Sequence, residues 1–347
     1  MTSHDPGVPP VPAIRQPLAA HHAAAVDKAR VAVFGASHWH APLYREALLR
    51  RHEVVAVQDD APQAVASPRA WGVEVSPDVD SVLRDVEFDA AYVMSPHDEV
   101  ARVCLKLIER GIPFVVEKPL GVNLAELRAV VEAARFAGVA ATVALVQRDG
   151  PVESWLRQAG TIAYERFSFH AGPPSRYSSN GSPWMLDPMR AGGGALVNLG
   201  PHFVDLALRH LGPGEVTALT RSHALHSERV EDHATVVLTG TRGGQAIIEV
   251  GYVFPDSPLK RFCSFSAAGD RGFASIDTDG TAQFTDLTGQ TVRTTLDVDS
   301  DPLYEVLVDR VADTLATGFA GMPTLDDLAA AMKVIWPDPS ETEAHDD

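Results

Sequence analysis

The stretch Arg30–Pro42, "RVAVFGASHWHAP", decides how the chain is read. An apolar strand-like run meets Gly35 and turns at once into a helical pattern, which is how a parallel β-α-β unit begins. Similar runs follow at 53–58 ("EVVAVQ"), 89–94 ("DAAYVM"), 113–117 ("PFVVE") and 140–146 ("AATVALV"). Between the later runs lie helical patterns, "HDEVARVCLKLIERG" (97–111) and "NLAELRAVVEAARFAG" (123–138), each ending on a glycine suited to a helix C-terminus. Near-continuous apolar strands joined by helices predict a doubly wound parallel sheet covered on both faces.

After about residue 148 the rhythm changes. A short helical piece, "GPVESWLRQAG" (150–160), leads to a strand near "IAYERFSFH" (162–170), then to a loop rich in Ser, Pro and Gly and a helix from Ala195 to Leu211. Five strand-like segments follow with Gly and Asp turns between them: 233–240, 244–254, 261–269, 273–280 and 281–289. Consecutive strands of this kind predict a large, mostly antiparallel open sheet in an α+β domain. Two helices, about Leu303–Thr317 and Leu325–Val334, close the chain. The expected division is a disordered tail (1–28), a dinucleotide-binding domain (29–147), a substrate-binding and oligomerisation domain (148–336) and an acidic tail (337–347).

Composition narrows the partners. The 347 residues, 45% hydrophobic, suffice for two cores, and a net charge of −17 disfavours nucleic acid and anionic membrane surfaces. Cys104 and Cys263 are the two cysteines, far apart in sequence, as expected for a protein of the reducing cytoplasm. No run of 18 apolar residues is present, and the proline-rich start lacks the pattern of a secretion signal.

Four places carry polar groups to the carboxyl edge of the expected parallel sheet, where open α/β folds bind ligands. In the first turn only Gly35 of a G-x-G-x-x-G fingerprint is present, with Ser37 and His40 at the other glycine positions; the turn Gly35, Ala36, Ser37 and His38 would still lie near a pyrophosphate. Asp59, after the second strand, suits ribose hydroxyls and repels a 2′-phosphate, which favours NAD over NADP. Ser95 and Pro96 follow the "AAYVM" strand. Glu117 and Lys118, in "VVEKPL" (115–120), end the next strand. There Lys118 would donate to an alcohol oxygen with its pKa lowered by burial, and Glu117 would orient the ammonium, while Pro119 restricts the backbone.

The second informative stretch is "RAGGGALVNLGPHFVDLALRHLG" (190–212). On a helix, Asn198, His202, Asp205 and Arg209 share one polar stripe on an otherwise apolar surface. A buried helix keeps such a stripe only if the groups are paired or face a cavity. His202 reads as a general base with a pKa near neutrality, Gly192–Gly194 as a close approach of backbone to ligand, and Pro201 as a threat to the alignment if the helix starts only there. Arg176, Tyr177, Trp184 and Arg190 in the preceding loop are candidates to contact substrate. The paired histidines His38/His40 and His223/His226 lack a third ligand at metal spacing, so no metal is expected.

In this order and spacing, the glycine turn, the acid after the second strand, S-P, E-K-P and G-G-G-x-L-x-N-x-G-x-H-x-x-D resemble the Gfo/Idh/MocA family of NAD(P)-dependent oxidoreductases over roughly residues 29–336. The resemblance implies a Rossmann domain, a second domain used for oligomer contacts (a dimer or tetramer), and hydride transfer at a secondary alcohol of a sugar, inositol or related polyol. It places the family's lysine at Lys118 and its histidine at His202. The family's usual aspartate is Asn198 here, which can orient a partner or bind substrate but cannot raise the histidine's basicity. The alternatives are a redox-neutral glycosidase or lyase that retains NAD, and a non-catalytic dinucleotide- or sugar-binding regulator.

Overall fold

The computed structural model describes residues 28–61, 65 and 67–336, so the two expected tails lie outside the described residues apart from Lys28. The first sheet contains β1 (Arg30–Phe34), β2 (Glu53–Gln58), β3 (Val75–Ser76), β4 (Ala90–Val93), β5 (Phe114–Val116) and β6 (Ala141–Val143), in the order β3-β2-β1-β4-β5-β6. Every pairing is parallel, with Val33 opposite Val57 on one side and Tyr92 on the other. Strand order reverses between β1 and β4, which opens a crevice at the carboxyl edge. The connecting helices are α1 (Ala41–Arg51), α2 (Val79–Asp85), α3 (His97–Glu109) and α4 (Leu124–Ala137). Strand residues on both faces are buried, as the continuous apolar runs require.

Residues 151–191 contribute α5 (Pro151–Leu156), β7 (Ile162–Ala171), α6 (Ser175–Ser179) and α7 (Pro188–Ala191). The long helix α8 (Ala195–Leu211) precedes β8 (Gly214–Ser222), β9 (His233–Gly240), β10 (Gln245–Gly251), β11 (Arg261–Gly269), β12 (Gly272–Ile276), β13 (Thr281–Asp286) and β14 (Thr291–Thr295). With β7 they form one sheet in the order β14-β13-β12-β11-β7-β10-β9-β8. It is antiparallel except where β10 runs parallel to β7. Alternate residues of β9, β10 and β12 are buried, so one face meets the core and the other stays partly open. Helix α8 packs on β7, β9 and β10.

Two helices close the chain, α9 (Leu303–Thr314) and α10 (Leu325–Ile335). Although α9 follows the second sheet in sequence, it packs on α1 of the first half, where Arg50 and Arg51 meet Glu305, Asp309 and Asp313. Tyr304 on α9 thereby reaches the first turn, with its hydroxyl 3.1 Å from His40 Nε2.

Candidate active site

The first turn is fixed by packing. Gly35 has φ +78°, and a Cβ there would stand 2.3 Å from the backbone nitrogen of Ser95, so only glycine lets β1 turn against the end of β4. The Ser37 N–H donates to Asp59 Oδ2 (2.6 Å) and the Ala61 N–H to Asp59 Oδ1 (2.9 Å). Burial raises the Asp59 pKa against these hydrogen bonds. The carboxylate thus ties the loop after β2 to the glycine turn, at the position expected for a ribose partner. His38 Nδ1 accepts the His40 N–H (3.1 Å), and the His38 ring stacks on Trp39 at 3.8 Å.

At the end of β5, Lys118 is 1% exposed and precedes a cis bond to Pro119. Its Nζ donates to the Asn198 side-chain oxygen (2.9 Å) and to the Asn198 carbonyl (3.0 Å), and lies 5.6 Å from the Trp39 ring centre. Burial draws the Lys118 pKa down to about 8, against the raising influence of Glu117. Glu117 does not orient the ammonium as expected. Its carboxylate receives the Tyr44 hydroxyl (2.7 Å) and lies 3.0 Å from His40 Nδ1, because α1 brings both rings over the end of β5.

Helix α8 begins at Ala195, ahead of Pro201, so Asn198 and His202 keep their alignment. The helix start is held by Glu231, whose carboxylate accepts the N–H groups of Gly194 (2.7 Å) and Leu196 (3.1 Å). Gly192–Gly194 therefore serve a different purpose from the expected approach to a ligand. Side chains there would strike Val122, Val197 and Glu231, so the glycines admit protein atoms. Asn198 is saturated: its oxygen accepts from Lys118 while its nitrogen donates to the hydroxyls of Tyr177 (2.6 Å) and Tyr252 (3.1 Å). Asp205 leaves the site altogether and pairs with Arg148 (2.7 and 2.5 Å), which also reaches Asp327.

His202 lines the same cavity as Lys118 and Asn198. Its Nδ1 is buried without a partner, which leaves Nε2 as the nitrogen open to the cavity. Burial, then the nearby Lys118, push its pKa down to about 3, so the expectation of a value near neutrality is corrected. With no carboxylate behind Nδ1, the opposing pull of Glu117 is smaller than the losses from burial and Lys118.

The cavity holds about 580 Å³ and is walled by Trp39, Lys118, Arg176, Asn198, His202 and Tyr304 among others. Arg176 and Tyr177 border it as anticipated. Trp184 and Arg190 do not border it. Trp184 is 7% exposed and packs edge-on against His97 (4.7 Å), while Arg190 pairs with Asp98 on α3 (2.8 Å). Both anchor the segment between β7 and α8 to the first domain, and Ser182 Oγ of that segment donates to the Ser37 carbonyl (3.5 Å).

These residues suit a dinucleotide in kind. Asp59, Ser95 and Pro96 stand at the crevice with the glycine turn, and three buried polar atoms nearby, His38 Nε2, His97 Nε2 and Glu117 Oε2, lack a protein partner. Such orphans are expected where a ligand completes the hydrogen bonding. The segment carrying Ser182 and Trp184 lies against the turn, with the Trp184 and His38 ring centres 6.2 Å apart. Among the described residues no group of three or more His, Cys, Asp or Glu is placed to hold a metal ion.

Sequence reasoning passed over Tyr44, His97, Tyr177 as a partner of Asn198, Tyr252 and Tyr304. His97 directly follows S-P at the ligand edge and was the most accessible signal. The tyrosines come from distant elements, and no local pattern announces them.

Comparison with known proteins agrees with this geometry. Residues 29–145 match the oxidoreductase family described as an NAD-binding Rossmann fold, and residues 157–275 match the Gfo/Idh/MocA C-terminal domain. The chain is 28% identical over 197 residues to trans-1,2-dihydrobenzene-1,2-diol dehydrogenase of Mus musculus, covering 54% of this chain and 56% of that one. It is 29% identical over 211 residues to 1,5-anhydro-D-fructose reductase of Ensifer adhaerens, covering 56% and 60%. The match thus spans little more than half the length of these relatives. The same fold occurs in an oxidoreductase from Agrobacterium radiobacter solved with NAD+, L-tartaric acid and magnesium (TM-score 0.76, 18% identity, 89% and 94% covered). It occurs also in an inositol dehydrogenase homologue from Azotobacter vinelandii solved with NAD+ (TM-score 0.73, 19% identity, 89% and 93% covered). A Rossmann half with its glycine turn at the crevice, followed by the matching C-terminal domain with its open sheet, makes this chain a member of the Gfo/Idh/MocA family of oxidoreductases.

Proposed function

We propose that the protein is an NAD-dependent oxidoreductase that moves hydride between nicotinamide and a secondary alcohol or ketone of a sugar, inositol or related polyol. Gly35, Ala36, Ser37, His38, Asp59, Ser95, Pro96, Glu117 and Lys118 would hold the cofactor, with the Asp59 carboxylate favouring NAD over NADP. The cofactor, when bound, supplies the redox chemistry. Named activities of the relatives, on diols and anhydro-sugars, support the substrate class.

The observation that carries the reading is the anchoring of Lys118. Two of the three Nζ donor directions are fixed on Asn198, which leaves the third vertex of the nitrogen for the cavity it lines. As a neutral amine, Lys118 offers a lone pair there to take a hydroxyl proton; as an ammonium, it donates to a carbonyl oxygen in reduction. A pKa near 8 lets both forms exist at working pH, which is the condition for acid–base catalysis. His202, neutral at that pH, positions the same hydroxyl through Nε2. The roles of lysine and histidine are therefore exchanged relative to the sequence expectation.

The test is a pH profile of alcohol oxidation with a panel of sugars and inositols. The rate should rise through an apparent pKa of about 8 as Lys118 loses its proton. A rise centred near about 6.5 would instead assign the proton to a histidine. Lys118→Arg, which cannot deprotonate, should lower kcat by about 100- to 10,000-fold.

We place the protein in the cytoplasm as a homo-oligomer, dimer or tetramer. The exposed Phe262 and Phe273 on the open sheet, and the two cysteines left as buried thiols, support this placement.

A further inference from the structure

The cations around the cavity are not equally paired. Arg261 and Lys260 share Asp299 and Asp301, so that corner of the wall is balanced, two against two. Lys118 feels Glu117 behind it. Arg176 has no carboxylate within ion-pair distance among the described residues. Its guanidinium lies over the Tyr177 ring (4.8 Å) and 5.8 Å from the Tyr252 ring centre, and uses one of its five N–H donors, on the Tyr177 hydroxyl (2.7 Å). A half-buried guanidinium held flat by two rings, with its remaining donors at a cavity wall, is a built site for a planar or tetrahedral anion.

Its place relative to Lys118 is also fixed. The Tyr177 hydroxyl that Arg176 contacts also accepts from Asn198, and Asn198 holds Lys118. Every link in that chain is neutral. With a neutral polyol the carboxylate acting on Arg176 is Asp301, beyond ion-pair distance and already shared by Lys260 and Arg261, while an anionic one supplies a counter-charge in direct contact.

We infer that the substrate is an anionic polyol, whose carboxylate or phosphate is bound by Arg176 while the hydroxyl to be oxidised lies at Lys118 and His202. This rests on the oxidoreductase reading for the second contact but not for the first.

The experiment measures equilibrium binding to the intact protein by calorimetry, without turnover, for matched ligands: D-gluconate and D-glucuronate, D-glucose 6-phosphate, and the neutral parents D-glucose and D-glucitol. Wild type should bind the anions about 10- to 100-fold tighter than the neutral parents, and Arg176→Gln should erase that preference while leaving the neutral ligands unchanged. Preference for gluconate and glucuronate over the phosphate identifies a sugar acid, and the reverse identifies a phosphate ester. Arg176→Lys, which keeps the charge, should retain part of the preference, and thermal unfolding of both variants confirms that they fold. Equal binding of neutral and anionic ligands, no binding of any anion at tens of millimolar, or an equal loss for both classes in Arg176→Gln would overturn the inference. Anion binding that depends on Arg176, with no nicotinamide reduction by any ligand, would uphold it and remove the oxidoreductase reading. Nicotinamide reduction by neutral polyols, with the anions bound no tighter than those neutral parents, would do the opposite.

Discussion

Two imidazoles on one helix are driven in opposite directions. His202 and His210 both lie on α8, and burial opposes the charged form of each. At His202 the neighbouring charge is Lys118, and the pKa falls to about 3. At His210 the ring nitrogen Nδ1 meets Glu165 at 2.7 Å and Nε2 lies 3.7 Å from Glu153, and the pKa rises to about 9. Desolvation is common to both, so the sign of the nearest charge decides. The middle of the helix holds a neutral ring open to a cavity, and its C-terminal end holds a cation that stitches α8 to β7 and α5.

The largest effect should come from breaking the second arrangement. Glu165 is fully buried, and Glu165→Ala leaves the His210 charge short of its main partner. Unfolding in urea at pH 7 should show a loss of about 3 to 5 kcal/mol. His202→Ala should cost far less stability and remove most activity. Equal losses from both would show that the two rings play the same structural part.

The same pair can be separated by pH alone. His210 has a folded pKa of about 9, above its ordinary value near 6.5. Its contribution to stability is therefore complete below about 6.5 and disappears as pH rises through about 9. Melting temperature followed from pH 6 to 10 should fall over that window in wild type, and the fall should flatten in His210→Gln. A wild-type curve flat across the window would mean that the imidazole is neutral in the fold.

The contrast also marks where sequence reading stops. The parallel sheet and the bounds of α8 were legible because apolar runs and helical spacing depend on neighbours in sequence. Lys118, Asn198 and His202 were legible because strand ends and helix stripes carry them to one place. The stripe itself did not reveal that Asp205 turns to Arg148 while Asn198 turns to Lys118, since both partners arrive from other elements. Strands β8 and β14 escaped notice for another reason: they lie at the sheet's two edges with mostly exposed residues, and lack the alternation that identifies a strand. His210 passed unnoticed because its carboxylates come from β7 and α5, far away in sequence.

The smallest effect probes the site of the neutral ring most closely. Asn198 contacts Lys118 with a dipole where a carboxylate would bring a full charge. Asn198→Asp keeps the size of the side chain and the hydrogen bond to Nζ, but it favours the ammonium. The apparent pKa for alcohol oxidation should then move up by about one unit, with kcat at high pH nearly preserved and the rate at pH 7 reduced by about tenfold. The aspartate also loses the donor that Asn198 gives to Tyr177 and Tyr252, so those hydroxyls must turn to donate. Were that second consequence the dominant one, kcat would fall at every pH alike, whereas the charge effect shifts the profile sideways. A profile displaced only downward would show that Asn198 acts by holding the tyrosines, and that the charge on Lys118 is set by burial alone.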